Sequence, residues 1–279
     1  MLCSPNRPTA MTARFRRVPT ALLRCLLLPM LIAALPLAAH AQERSLERTF
    51  SLGAGGSVEL STFSGEVVVS TWDRDEVDVQ VRIAGEPDAV DKTKIVFQET
   101  RRSVSIETNF DDLEDPGMLR DRDDISPPDT YFTLRIPRTA ALELNAFSAD
   151  IDVADLGSDV SIEAFSSDVE ADGVDGAFSV DIFSGDVEAT GLRGAVEVNS
   201  FSSSIDLSFG ALTDDVDVET FSGGATLRLP RDAGFELDTD LGMSGDLDTA
   251  FDITNGEANG GGPRIAFKTF SGYLSLRTR

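Results

Sequence analysis

The sequence predicts an all-β fold: a β-solenoid, or β-helix-like repeat, with about 18 residues per coil and a less regular N-terminal β region. Three observations carry that expectation. The first is a Phe-Ser corner with a fixed tail. Phe147-Ser148-Ala149-Asp150-Ile151, Phe165-Ser166-Ser167-Asp168-Val169, Phe183-Ser184-Gly185-Asp186-Val187 and Phe201-Ser202-Ser203-Ser204-Ile205 follow one another at intervals of 18 residues. Self-similarity at a short fixed period marks a chain that stacks one unit on the next. The second is strict alternation. Leu142, Val160, Phe178 and Val196 start the four units, and Leu144, Ile162, Val180 and Val198 follow two residues on. Past the corner come Ile151, Val169, Val187 and Ile205, then Val153, Ala171, Ala189 and Leu207, with polar residues between them. Period-2 patterning of this kind is a half-buried strand. The third is glycine at the far corner, Gly173-Val174-Asp175-Gly176 and Gly191-Leu192-Arg193-Gly194, where tight bends need positive φ. Antiparallel hairpins would also satisfy the alternation, but only stacking makes use of identity at every eighteenth residue.

Taken in chain order, residues 1–41 are an export signal. Arg14, Arg16, Arg17 and Arg24 precede the apolar stretch Leu26 to Leu37, which Pro29 and Pro36 break, and Ala39-His40-Ala41 offers a cleavage site before Gln42. Met11 is an equally good start. Both cysteines, Cys3 and Cys25, and the single histidine, His40, leave with the signal. Five of the 24 basic residues leave too, so 19 basic residues face 48 acidic ones. A surface that acidic excludes nucleic acid and anionic lipid as partners. No later segment approaches the roughly 20 apolar residues of a spanning helix.

Residues 42–140 form the N-terminal β region. Val77, Val79, Val81 and Ile83 alternate, as do Ile95 with Phe97 and Val104 with Ile106, and Arg101-Arg102 turns between the last two. An acidic loop with Pro127 and Pro128 spans 109–129, and strand pattern resumes from Tyr131 to Ile136. Residues 141–279 are the repeat region, continuous with what precedes it. Beyond Phe221 the interval lengthens through Met243-Ser244-Gly245 to Phe270-Ser271-Gly272, partly through the Gly-rich insert Asn255 to Gly262. Phe270 to Leu276 reads as a closing coil.

The phenylalanines pose a parity problem, because Ala146, Ala164, Ile182 and Ser200 just before them already continue the inward alternation. A bend at the corner turns both inward and gives a buried Phe ladder with small neighbours, which is the reading adopted. The other solution is an exposed aromatic stripe, which would be a binding surface.

Val58-Glu59-Leu60 leading into Phe63-Ser64-Gly65-Glu66-Val67, the stretch Thr71-Trp72-Asp73-Arg74-Asp75-Glu76-Val77 and the later Ser-Gly-Asp corners together resemble DUF4097. This is a bacterial β-strand-repeat family labelled "putative adhesin". The resemblance covers most of residues 50–279. It implies the repeat fold and an adhesin-like role, and it brings no catalytic residues. The consistent Phe before the corner serine departs from the commoner pattern.

Without His or Cys, the mature chain has no Ser-His-Asp or Cys-His site and none of the usual zinc or haem ligands. No cofactor is implied. The repeat serines, Ser64 to Ser271, are expected to hydrogen-bond corner backbone. Calcium is the one metal with candidate ligands. Stacking would align Asp152, Glu170, Glu188 and Asp206 in one row and Asp150, Asp168 and Asp186 in another, and rows of hard oxygens can take up Ca²⁺. The plainer reading is a solvated acidic face. The expectation is therefore an exported, non-enzymatic binding or scaffold protein, periplasmic, at the cell surface or secreted. Its partner would be an envelope protein or a glycan, and self-association through open solenoid ends is a further expectation. The alternatives are a polysaccharide-active β-helix enzyme and a calcium-dependent envelope protein.

Overall fold

The structure is a computed structural model and describes residues 42–110 and 126–279. Residues 1–41, where the sequence leads one to expect an export signal, and residues 111–125 of the expected acidic loop lie outside the described residues. The described residues fall in one compact unit.

The strands in chain order are β1 (Gln42–Ser51), β2 (Ser57–Trp72) and β3 (Glu76–Gly85), followed by a short helix α1 (Pro87–Lys92). Then come β4 (Lys94–Glu99), β5 (Ser103–Asn109), β6 (Asp129–Pro137), β7 (Ala141–Ala154), β8 (Val160–Ser166), β9 (Val169–Asp172), β10 (Phe178–Leu192), β11 (Val196–Phe209) and β12 (Val216–Leu229). The remainder are β13 (Phe235–Asp240), β14 (Asp246–Thr249), β15 (Ile253–Thr254), β16 (Glu257–Ala258) and β17 (Arg264–Thr278).

The long strands are rungs, each bent once at its Phe-Ser corner, and they pair in parallel with like columns in register, apart from one shift between Ala189 and Leu192 where β10 meets β11. Val160, Phe178, Val196, Val216 and Ile265 lie side by side. So do Val169, Val187, Ile205, Ala225 and Leu274 past the corner. That register follows from the alternation, since a one-residue shift would turn every apolar side chain outward. The four inward columns are buried on every one of these rungs. Withdrawing a Val, Leu, Ile or Phe from water is worth about 1.5–3 kcal/mol, so repeated columns make the core the main stabiliser. The β-solenoid read from the sequence is the fold observed.

Both ends are built differently from the middle. At one end the first limb of β2 pairs with β5 and the second with β6, so two separate strands make up the terminal rung. Antiparallel partners β4, β3 and β1 extend that sheet further. At the other end the expected closing coil is not outermost. β17 slots between β12 on one side and β13 with β14 on the other. The reason lies in burial: Ile265, Phe267, Leu274 and Leu276 on β17 are fully buried, whereas β13 and β14 are short and polar. Short polar strands make safer edges than a long apolar one.

At two corners the backbone of the neighbouring rung comes so close that a side chain does not fit. Gly185 has φ +133°, and a Cβ there would lie 1.8 Å from the Ser167 carbonyl oxygen. Gly223 has φ +151°, with the Ser203 oxygen 2.1 Å from the same hypothetical atom. Gly185→Ala is therefore expected to lower stability by about 1–3 kcal/mol, the usual range for overpacking. Urea denaturation measures it, and a loss under about 0.5 kcal/mol, the scatter of ordinary surface changes, would show that the rungs can separate at the corner.

Candidate functional site

At each corner the inward alternation runs through the residue before phenylalanine: Ala146, Ala164, Ile182, Ser200, Thr220, Thr269. The ring that follows therefore points to solvent. Phe63, Phe147, Phe165, Phe183, Phe201, Phe221 and Phe270 are 36–49 % exposed. The buried ladder expected from the sequence is thus corrected to an exposed one. A narrow corner holds one inward side chain per rung, and the preceding residue already occupies it.

Half-exposure still leaves the rings ordered. Neighbouring centroids lie 4.7–5.0 Å apart with interplanar angles of 1–8°. Strand spacing of about 4.8 Å sets this distance, which falls within the favourable range for stacked aromatics. Phe110 closes one end edge-on against Phe63, at 6.0 Å and 76°. Met243, 85 % exposed, follows Phe270 at the other end, its N–H donating to the Phe270 carbonyl. Because each face is covered by the next ring, the surface presented is a ridge of ring edges. Those edges carry the positive side of the aromatic quadrupole.

Alongside this ridge, between rungs β10 and β17, runs a groove of about 870 Å³. The edges of Phe183, Phe201, Phe221 and Phe270 form one wall, and Ser200, Thr220 and Thr269 lie along the floor. The outward row Asp181, Asn199, Glu219 and Lys268 forms the other wall, with Asp240 and Gly242 contributed by the outermost rung. Each wall acid is already engaged. Asn199 Nδ2 donates to Asp181 Oδ1 at 2.9 Å, Lys268 pairs with Glu219, and Gly242 N–H donates to Asp240 Oδ1.

The far flank of the ridge is rich in hydroxyls, among them Ser202, Ser203, Ser222 and Ser271, with Tyr273 beside them. Corner hydrogen bonding does not come from the serines that follow phenylalanine, since Ser148, Ser166, Ser202 and Ser222 face solvent. It comes one residue later, where Ser167 Oγ accepts from Ala149 N–H at 3.2 Å. That position turns inward, where the Ser167 hydroxyl meets backbone and that of Ser203, two rungs on, is buried without a partner.

All six calcium candidates line one further recess: Asp150, Asp152, Asp168, Glu170, Asp186 and Glu188, with Glu66 beside them. Asp152, Glu170 and Glu188 align in a row through their strand registers, and Asp206 continues it. Asp168 Oδ1 accepts the Asp186 N–H at 2.9 Å. The carboxylates stand in rows rather than around a point. Among the described residues no three His, Cys, Asp or Glu side chains converge so as to hold a metal ion. Chemically the recess concentrates negative charge and draws cations towards it.

Among the described residues Lys268 stands out for a biased ionisation. Its hydrogen bond to Glu219, then the charge of that carboxylate, raise its pKa above the ordinary 10.5. The pairing is fully present below the lysine's unfolded pKa and is lost as pH rises through the raised one. Glu219→Gln should bring the Lys268 midpoint back towards 10.5 in an NMR titration of lysine side chains, and an unmoved midpoint would refute the assigned cause.

With this geometry described, likeness to known proteins adds identity. A family profile described as Toastrack DUF4097 matches residues 58–260. No curated protein matches the sequence. Among solved structures, a "putative cell adhesion protein" from Clostridium sporogenes aligns with a TM-score of 0.40 at 12 % identity, covering 85 % of this chain and 100 % of its own. A "putative adhesin" from Bacteroides fragilis gives 0.32 at 11 % identity, over 85 % and 97 %. A "putative lipid binding protein" from Parabacteroides distasonis gives 0.29 at 9 %, over 84 % and 96 %. Among the described residues no helix is long and apolar enough to cross a membrane. The profile spans well over half of the sequence, and the chain belongs to the Toastrack DUF4097 family.

Proposed function

We propose that this is an exported, non-enzymatic binding protein of the cell envelope, adhesin-like in its manner of work, and that the phenylalanine ridge is its binding face. The observation that carries the reading is the ridge itself: seven rings in line, each 36–49 % exposed, running on the order of 30 Å along the solenoid. A contiguous apolar strip rimmed by polar residues is the usual signature of an interaction site. The fold does not require it. The inward columns close the core without these rings, and a polar residue at the corner would leave that core intact. Rigid strands hold the strip in place, so ordering it on binding costs little entropy.

A second reading has its own observation, since Asp181, Glu219 and Asp240 share a groove with exposed aromatics. Carboxylates flanking a sugar are the machinery of glycoside hydrolysis. Release of reducing ends from an oligosaccharide incubated with the protein would favour that reading over simple binding.

Replacing Phe165, Phe201 and Phe270 by Ser breaks the ridge at three rungs. The protein immobilised on beads should then retain at least five-fold less isolated envelope material than the unaltered chain, with far-ultraviolet circular dichroism unchanged. Should the Ser variant misfold, the corresponding Leu variant is compared instead. Equal retention by a folded variant would end the reading.

A further inference from the structure

The groove beside the ridge holds a feature that the ridge alone leaves over. Ser200, Thr220 and Thr269 lie side by side on three consecutive rungs, at the inward position that Ala146, Ala164 and Ile182 fill on earlier ones. Their hydroxyls are buried and have no hydrogen-bond partner. Thr220 is 5 % exposed and Thr269 6 %. A buried hydroxyl without a partner is a standing cost to the fold, and valine would occupy the same volume without it. The core behind these residues is built of Val, Leu, Ile and Phe. Each hydroxyl is sealed from solvent as it stands, so a ligand in the groove these residues line meets it after rotation about the Cα–Cβ bond.

The groove's other groups narrow what that partner is. A carboxamide, carboxylates and an ammonium face the hydroxyl floor across its width, so the ligand must both donate and accept hydrogen bonds at successive rungs. It must also pack against the ring edges, whose positive rim suits hydroxyl oxygens. We infer that the groove binds an extended glycan, neutral or amine-bearing, lying along the solenoid beside the ridge; the inference rests on the ridge being a binding face. Asp181, Glu219 and Asp240 outnumber Lys268, so uronate, sulfated and phosphorylated chains meet net repulsion. An acyl chain would cover the rings and leave the three hydroxyls unpartnered. A second copy of this chain would bring another strongly acidic surface, since the formal charge is −24. Ring faces are hidden in the stack, so the sugar packs against edges rather than lying flat on an aromatic platform.

Isothermal titration calorimetry of the purified protein tests this with chitohexaose, cellohexaose and a glucosamine hexamer, against an alginate hexamer, phosphatidylcholine vesicles and hexalysine. At least one of the first three should bind, and the alginate hexamer should bind at least ten-fold more weakly or not at all. Thr220→Val with Thr269→Val should weaken the glycan at least ten-fold while the melting temperature holds or rises. The rise separates a lost ligand contact from a damaged fold. Unchanged affinity in that variant, or preference for the alginate, overturns the inference. So does failure of all three glycans, whether or not vesicles or hexalysine bind. If the glycans fail yet the Ser-substituted ridge still loses envelope material, the glycan assignment falls and the binding face stands. If neither responds, both fall.

Discussion

Parallel pairing in register is the constraint on which everything else in this protein depends. Each rung places its residues directly over those of the previous rung at the strand spacing of about 4.8 Å. Any side chain therefore meets its own kind unless the sequence changes. Apolar columns gain from this, because identical branched residues pack without voids and no rung can slide. Aromatic residues gain as well, since the spacing suits ring stacking and each neighbouring pair adds about 0.5–1.5 kcal/mol beyond burial. Glycine at the corner follows from the same rule, because the backbones must approach there to keep register.

Charged columns lose by it, and the distribution of basic residues reflects that. Two unit charges at this spacing repel by roughly 1 kcal/mol in bulk water and by more where solvent is restricted. Toward the last rungs the acidic rows are met by cations. Arg228 pairs with Asp206, Lys268 with Glu219, Arg264 with Asp217 and Asp238, and Arg277 with Asp248. Exposed pairs of this kind are individually worth little, about 0–1 kcal/mol. Of these pairs Lys268 with Glu219 lies in the groove and gives it mixed polarity on β12 and β17. The middle rungs around Asp152, Glu170 and Glu188 keep a uniformly acidic face.

The fold was legible because its period is short and its alternation strict. Phe165 and Phe183 stack as rung neighbours because the residues around them repeat without insertion. The order of the last rungs was not legible, since nothing local tells β17 to insert ahead of β13 and β14. That choice follows from which strand buries more, a comparison across some 30 residues of irregular chain. The ring column was misjudged for a different reason. Parity alone, with Ala146 or Ile182 already inward, points the next residue out. The pull of a large apolar side chain towards the core argues against parity, and corner geometry decides for it. The three hydroxyls at Ser200, Thr220 and Thr269 were visible as a break in an apolar column, but they gained meaning only once the adjacent groove was seen.

One feature the core does not need and one standing cost therefore coincide in place. The rings could have been polar without loss to the core, and the inward corner positions could have stayed apolar, as at Ala164 and Ile182. On β11, β12 and β17 the sequence instead combines exposed rings outside with unpartnered hydroxyls beneath them. A solenoid selected for stability alone would extend the Ile182 pattern, because stacked apolar side chains improve with every added rung and buried free hydroxyls do not. Local rules broken together, at one place and on consecutive rungs, mark a surface shaped by what it contacts rather than by what it supports.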